Sequence, residues 1–105
     1  VTLVWRAEAG AAEEDLKVFV HLITEDGPLV AQDDAKPVGW SRPTSSWLPG
    51  EIIIDAHPLT WHDRAVTGTA QIRVGFYDEG TGARQVWSNG EDAYELPVAV
   101  TIGAP

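Results

Sequence analysis

A two-residue alternation of apolar and polar side chains limits the fold of this chain more than any other feature of its sequence. The clearest case runs from Thr69 to Tyr77. Its apolar residues Ile72, Val74 and Phe76 alternate with polar ones, which is typical of a strand with one buried face. Further runs of strand-forming residues are Val1–Ala7, Lys17–Ile23, Leu29–Gln32, Glu51–Leu59, Arg84–Trp87 and Leu96–Ile102.

About seven short strands without a convincing helix predict an all-β fold of two packed antiparallel sheets, an immunoglobulin-like or related Greek-key sandwich. The run Lys17–Ile23 is apolar on both faces except at His21, so we expect it to be a central strand. Glu25–Gly27 is a short polar turn that ends in Gly. It therefore predicts a hairpin between Lys17–Ile23 and Leu29–Gln32.

The chain of 105 residues has the length of one domain, which we expect to span residues 1–105. It starts inside one strand pattern and stops soon after another, so we expect it to be part of a longer protein. There is no Cys, which excludes disulfides and thiolate metal sites. Stability must therefore come from packing, to which the five Trp contribute large apolar side chains.

Two connections lack a strand pattern. The acidic stretch Glu8–Asp15 contains Gly10 and predicts a loop. The segment Asp33–Gly50 is longer, and it holds several Pro and Gly residues together with Trp40 and Trp47. Structureless connections of this length are uncommon in compact domains and are often functional. This segment is therefore the first place to look for a binding site.

The charge of the chain limits its partners. A formal net charge of −9 repels a phosphate backbone or an anionic lipid surface, so we expect no nucleic-acid partner. The sequence has no apolar run of the ~20 residues that span a bilayer and no signal-peptide pattern at its start. We therefore expect no direct membrane insertion of this segment.

The sequence contains no recognisable catalytic apparatus. Thr44, Ser45 and Ser46 cluster together, but no Gly-x-Ser-x-Gly turn presents them as nucleophiles. We interpret them as loop residues that make local hydrogen bonds. The chain is therefore predicted not to be an enzyme.

His57 lies two residues from Asp55, so both side chains leave the same face of a strand. With His21 or His62 they could share a metal ion, but an Asp and a His on a solvated strand face more often form an ion pair. Asp33–Asp34 lacks the ligand spacing of a calcium loop. We predict neither a metal nor a cofactor.

Aromatic residues in loops give the strongest indication of a ligand. Trp5 is expected in the core, whereas the remaining indoles fall in or beside predicted loops, where exposed rings can stack on sugars. Trp47, next to Pro and Ser residues, is alternatively a cap on the end of the sandwich. The candidate ligand-binding residues are Trp40, Trp47, Trp61 and Asp55.

Many positions together resemble a known family. The matching residues are Val18-Phe19-Val20-His21-Leu22, Gly27, Val30-Ala31-Gln32, Asp34, Pro43-Thr44-Ser45, Trp47, Pro49-Gly50-Glu51, Asp55, Gly68-Thr69, Val74-Gly75-Phe76-Tyr77-Asp78, Thr81-Gly82 and Arg84. In these residues the chain resembles the β-sandwich domain that follows the multi-spanning membrane part of many bacterial glycosyltransferase-like proteins related to protein mannosyltransferases. The pattern departs from that family between Trp61 and Ala70, where a Pro-rich turn and an aromatic residue are expected.

The resemblance implies an extracytoplasmic accessory domain, tethered to a membrane enzyme whose catalytic carboxylates lie elsewhere. It also gives Thr44, Ser45, Trp47, Glu51 and Asp55 an alternative role, in which they hold the long loop against the sandwich by hydrogen bonds.

We therefore expect a non-catalytic module that recognises a glycan or, alternatively, a structural module that docks on protein, including the membrane-embedded part of the same protein. Trp40 and Trp61 in one groove would favour sugar binding. Phe19 and His21 facing outward would favour docking.

Overall fold

The computed structural model describes residues 1–7, 15–25, 27–62, 66–87 and 89–103, and contains no α-helix within those ranges. Its strands are β1 (Thr2–Arg6), β2 (Lys17–Thr24), β3 (Leu29–Ala35), β4 (Ile52–Ala56), β5 (Thr60–Trp61), β6 (Gly68–Tyr77) and β7 (Tyr94–Ile102). A 3-10 turn at Thr44–Ser46 interrupts the connection between β3 and β4. The predicted all-β class is confirmed.

The strands form two antiparallel sheets. The small sheet contains β1 and β4, and the large sheet has the order β5-β3-β2-β6-β7. β2 lies at the centre of the large sheet, as its two apolar faces predict. The predicted hairpin is also present, since β2 pairs with β3 and Gly27 adopts a φ of 105° in the turn between them. The sandwich of two antiparallel sheets is therefore confirmed.

The strand set differs from the prediction in two places. β3 continues beyond Gln32, because Asp33 and Asp34 pair with β2 and alternate between the two faces of the sheet. The segment Arg84–Trp87 was expected to be a strand but forms only an isolated bridge from Arg84 to Tyr77. The seventh strand is instead β5, which pairs with β3. The loop predicted at Glu8–Asp15 lies outside the described residues except at Asp15.

The core lies between the sheets. Val18, Val20 and Leu22 of β2 point into it and are at most 2% exposed. Leu3 from β1 joins this cluster, so the inner faces of both sheets share one apolar interior. At one end a second cluster forms around Trp47, with Ala7 and Ile53, and Trp5 contacts both clusters.

A second layer of packing covers the outer face of the large sheet, the face turned away from the small sheet. Phe19 points to this side yet is only 2% exposed. The Arg84 guanidinium lies 4.4 Å from the centroid of its ring, and Gly75 is its direct neighbour on β6. A β-carbon at Gly75 would overlap the Phe19 ring. Glycine at this position therefore allows an aromatic side chain to lie flat on the sheet.

We predict that Gly75→Ala lowers the free energy of unfolding by about 1–3 kcal/mol, because the added methyl group forces the Phe19 ring from its site. Urea denaturation of the variant and the wild type measures the difference. Gly103→Ala is the control, since a β-carbon there meets no atom within 4 Å. Equal stability of Gly75→Ala and wild type would contradict this account of the packing.

Candidate functional site

Asp55 and His57 lie on the inner side of the small sheet, and the expectation that they occupy a solvated strand face is wrong. Asp55 is 0% and His57 1% exposed, whereas Ile52 and Ile54 are 55% and 66% exposed. The alternation in β4 therefore places Ile53, Asp55 and His57 on the inner side and leaves Ile52 and Ile54 outside. The two polar residues can be buried beside Ile53 because they find partners on the opposite sheet and the long loop.

His57 bridges the two sheets through both nitrogens of its ring. Nδ1 lies 2.7 Å from Oδ2 of Asp33 on β3, and Nε2 lies 2.6 Å from Oδ2 of Asp55. Burial alone would lower the pKa of His57, but the hydrogen bonds to the two carboxylates outweigh it and raise the pKa above its ordinary value. Because a carboxylate oxygen only accepts, the two short contacts assign a proton to each ring nitrogen, and His57 is interpreted as an imidazolium that donates to both carboxylates.

Asp55 collects hydrogen bonds from three directions. Besides His57, the Trp5 indole Nε1 donates to its Oδ2 at 3.0 Å, and the Val38 backbone N–H donates to its Oδ1 at 2.7 Å. Burial alone would raise the pKa of Asp55, but these hydrogen bonds outweigh it and lower the pKa. One carboxylate thus joins β1, β4 and the loop after β3.

In the Asp33–His57–Asp55 network, named here by its three charged residues, the polar contacts of the imidazole are made within the protein. Both ring nitrogens of His57 already bind carboxylates, so neither is available to a metal ion or as a general base. Within the described ranges, no cluster of three or more His, Cys, Asp or Glu side chains is arranged to hold a metal. Sequence reasoning missed Asp33 as a partner because the packing of one sheet on the other, which no local pattern encodes, brings it to His57.

The network also supports an unusual turn. Val38, Gly39 and Trp40 adopt φ values of 54°, 58° and 74°, so three successive residues are left-handed. This conformation is costly for any residue with a β-carbon and is an outlier for a β-branched one. Asp55 holds the turn at the Val38 N–H, and the Ser41 hydroxyl donates to the Val38 carbonyl at 2.6 Å.

The turn presents Trp40 to solvent. Its side chain is 54% exposed, and the ammonium groups of Lys17 and Lys36 lie 5.0 and 5.9 Å from its ring centroid. These are both of the lysines in the chain. The two lysines lie close together because of the hairpin register, in which Val18 pairs with Ala35 and the next position brings Lys17 opposite Lys36. We name Trp40, Lys17 and Lys36 the Trp40 site.

The other candidate indoles lie elsewhere. Trp47 is only 7% exposed and its Nε1 donates to the Arg42 carbonyl at 3.0 Å, which agrees with its interpretation as a cap. Trp61 packs against the core from β5, opposite Ala31 on the inner side of the large sheet. Trp40 lies beside the lysines on the outer side, so Trp40 and Trp61 do not share a groove.

Phe19 and His21 do face outward, but they are covered. His21 lies 3.7 Å from Asp34, and the Tyr77 hydroxyl donates to the same carboxylate at 3.3 Å. Burial lowers the pKa of His21, despite Asp34, and burial together with Asp34 raises the pKa of Tyr77 to about 12. This face is a packed polar layer rather than an apolar docking surface.

An exposed apolar area lies instead on the outside of the small sheet. Val4 pairs with Ile54 across β1 and β4, and the two side chains are each 66% exposed. Ile52, 55% exposed, lies next to Ile54 on the same face. We name these three residues the isoleucine face. They form a contiguous apolar surface of a kind that often marks a contact site.

Comparison with known proteins adds no family to this picture. No protein-family model, characterised protein or solved structure matches the chain. Among the described residues, no helix has the length and apolar character needed to cross a membrane. The site must therefore be interpreted from its own geometry.

We predict that Asp55→Asn lowers the free energy of unfolding by about 3–5 kcal/mol, since it leaves the buried imidazolium of His57 without its closest partner. Asp33→Asn is the matched variant. Asp33 is more exposed, with 22% of its side chain accessible, so its loss should cost less. Urea denaturation of both variants measures which one loses more free energy of unfolding. A greater loss for Asp33→Asn would contradict the assignment of Asp55 as the centre of the network.

We also predict that the network confers greatest stability between about pH 4 and pH 6.5. Because the pKa of Asp55 is lower in the folded than in the unfolded state, the stabilisation is present at pH values above the unfolded-state pKa. It is lost as the pH falls through the folded-state pKa. Because the pKa of His57 is higher in the folded than in the unfolded state, the stabilisation is complete at pH values below the unfolded-state pKa. It is lost as the pH rises through the folded-state pKa. Unfolding free energies measured by urea denaturation from pH 3 to 9 would check this window.

His57→Gln should flatten the alkaline decline of stability relative to the wild type. An NMR titration of the imidazole signals provides a second measurement that does not depend on the variants folding. The His57 ring should titrate at a higher pH than the His21 ring, because the pKa is raised at one and lowered at the other. The reverse order would contradict the charged state of His57.

Proposed function

We propose that this domain is a non-catalytic accessory module that binds carbohydrate at the Trp40 site. The observation that carries the proposal is an exposed indole held on three successive left-handed residues. A left-handed conformation costs about 1–2 kcal/mol at each residue with a β-carbon. Strain of this kind persists where the surrounding structure imposes it, and it clusters at ligand-binding sites.

The neighbours of Trp40 suit a sugar better than an apolar ligand. Lys17 on β2 is the direct partner of Tyr77 on β6, so the indole lies beside a row of polar side chains on the outer face of the large sheet. An indole face packs on the C–H groups of a pyranose, while ammonium and phenol groups hydrogen-bond its hydroxyls. An apolar ligand would take water away from the ammonium groups without offering them a hydrogen-bond acceptor.

The network makes Asp55 a positioning residue for this site. Its carboxylate binds the Val38 N–H, at the first residue of the left-handed turn, and is itself buried away from any ligand. The candidate set is thereby divided by role. Trp40 would contact the sugar, Asp55 would position it, and Trp47 would seal the sandwich end. Trp61, on the inner side of the large sheet, has no part in the site.

The resemblance noted in the sequence gives this proposal a setting. It suggests an extracytoplasmic domain of a bacterial glycosyltransferase-like membrane protein, in which catalysis belongs to the membrane part and this domain retains a glycan. A buried charge network with no free nucleophile or base suits a role without catalysis.

A structural or docking module is the second candidate, favoured by the isoleucine face. Its partner would be an apolar surface on the membrane-embedded part of the same protein. Val4 and Ile54 would then be covered in the full-length protein, which would remove their exposed area from water. This candidate requires no small-molecule ligand, but it does not explain why Trp40 is held in a strained turn.

We predict that Trp40→Ala abolishes sugar binding without unfolding the domain. The ring is more than half exposed, so its removal should change stability by no more than about 0.5 kcal/mol. The measurement is an NMR titration of the backbone amides and the indole N–H signals with mono- and oligosaccharides. The Trp40 indole should shift saturably, while the buried Trp47 indole should not.

Trp40→Phe is the matched variant, because it keeps an aromatic face and should retain weakened binding. If no sugar shifts any indole signal at millimolar concentration, the carbohydrate proposal fails and the docking candidate is favoured. Binding that persists in Trp40→Ala would place the sugar elsewhere and would also overturn the assignment of this site.

A further inference from the structure

The two lysines of the chain differ in their ionic partners. Lys17 forms an ion pair with Glu79, with 3.2 Å between Nζ and Oε1. Within the described residues Lys36 has no carboxylate within ion-pair distance, and its ammonium lies over the ring of Trp40. Among the described residues, an ammonium beside an exposed indole is thus left without an anion.

This is unusual for so acidic a chain. With a net charge of −9, carboxylates greatly outnumber the basic groups. Arg42, Arg73 and Arg84 pair with Glu51, Glu95 and Asp92, respectively. Since Lys36 has no such pair within the described part of the chain, its position at the Trp40 site favours an anionic partner from outside the protein.

We infer that the sugar bound at the Trp40 site carries a negative charge, as a carboxylate or a phosphate, and that Lys36 is its ionic partner. This inference rests on the proposed carbohydrate function and names the ligand class for it. The shared chemistry is an anionic group on a pyranose ring. A uronic acid and a sugar phosphate both provide it.

The contacts of the indole give the physical reason. In this structure the ammonium groups of Lys17 and Lys36 face the Trp40 ring. A sugar that stacks on the indole would compete with these cation–π contacts. A neutral sugar offers the displaced ammonium only hydroxyl groups. An anionic sugar offers a charged acceptor, and hydrogen bonds between charged groups are the stronger ones. The long, flexible lysine side chain can turn from the ring to the anion without a change in the backbone.

The charge of the remainder of the protein adds selectivity. The field of an acidic domain repels free anions at long range, so a small anion without a stacking face should bind poorly. Stacking on Trp40 and pairing with Lys36 must therefore act together. The site should recognise the combination of a pyranose face and a negative charge.

The test is an NMR titration of the whole 105-residue domain at low ionic strength with three groups of probes. The acidic sugars are glucuronate, galacturonate and glucose 6-phosphate. The neutral sugars are glucose and galactose, and the free anions are acetate and inorganic phosphate. We expect acidic sugars to bind about tenfold more tightly than neutral ones and the free anions not to saturate the site.

Lys36→Met should remove this preference, because it keeps most of the aliphatic side chain but not the charge. Arg73→Met is the control, since it changes the net charge equally and lies on β6, paired with Glu95 and without contact with Trp40. The preference for acidic sugars should survive in the control. Comparing uronates with glucose 6-phosphate then identifies which source of the anion binds.

The outcomes separate this inference from the proposal on which it depends. Equal binding of neutral and acidic sugars at Trp40 would overturn the inference and retain the carbohydrate function. Acidic preference that survives Lys36→Met would also overturn it. No binding of any sugar would overturn both the inference and the carbohydrate function. Binding of free phosphate or acetate as tightly as the acidic sugars would show an anion site without sugar recognition, which would also overturn both.

Discussion

The imidazolium of His57, placed between Asp33 and Asp55, is the interaction on which the architecture depends. The small sheet has only two strands and could not enclose a core alone. The charged network fixes it to the large sheet through short hydrogen bonds and orders the loop between β3 and β4. Desolvating three charges is expensive, and the cost is offset because every buried charged atom in the network has a close partner. The same carboxylate that joins the sheets also holds the turn that presents Trp40.

Local patterns in the sequence predicted the regular parts of this fold. The alternation at Ile72, Val74 and Phe76, and the two apolar faces around Val18 and Val20, were sufficient to place the central strands and the hairpin. Those signals depend on nearest neighbours in a strand and need no knowledge of the other sheet. The same logic was wrong at β4, where alternation alone could not tell which side is buried.

The site required information that no local pattern holds. Asp33 meets His57 across the sandwich, and Asp55 meets Val38 across a loop, so both contacts depend on how two sheets stack. Trp40 was selected for its residue type and its place in a long connection, but its left-handed backbone conformation was not predicted. The convergence of Lys17 and Lys36 was in principle accessible, because the register of the predicted hairpin brings them opposite each other.

The aromatic residues of the core give the sandwich an optical signature. The rings of Trp5 and Trp87 stack at 6.1 Å with an angle of 22° between their planes. Phe76 lies 4.6 Å from Trp5, and Trp47 lies within 6.3 Å of it. Such a cluster absorbs as a coupled chiral group only while the sheets are packed. Near-ultraviolet circular dichroism therefore distinguishes the ordered sandwich from a collapsed state that keeps its strands but has lost its side-chain packing.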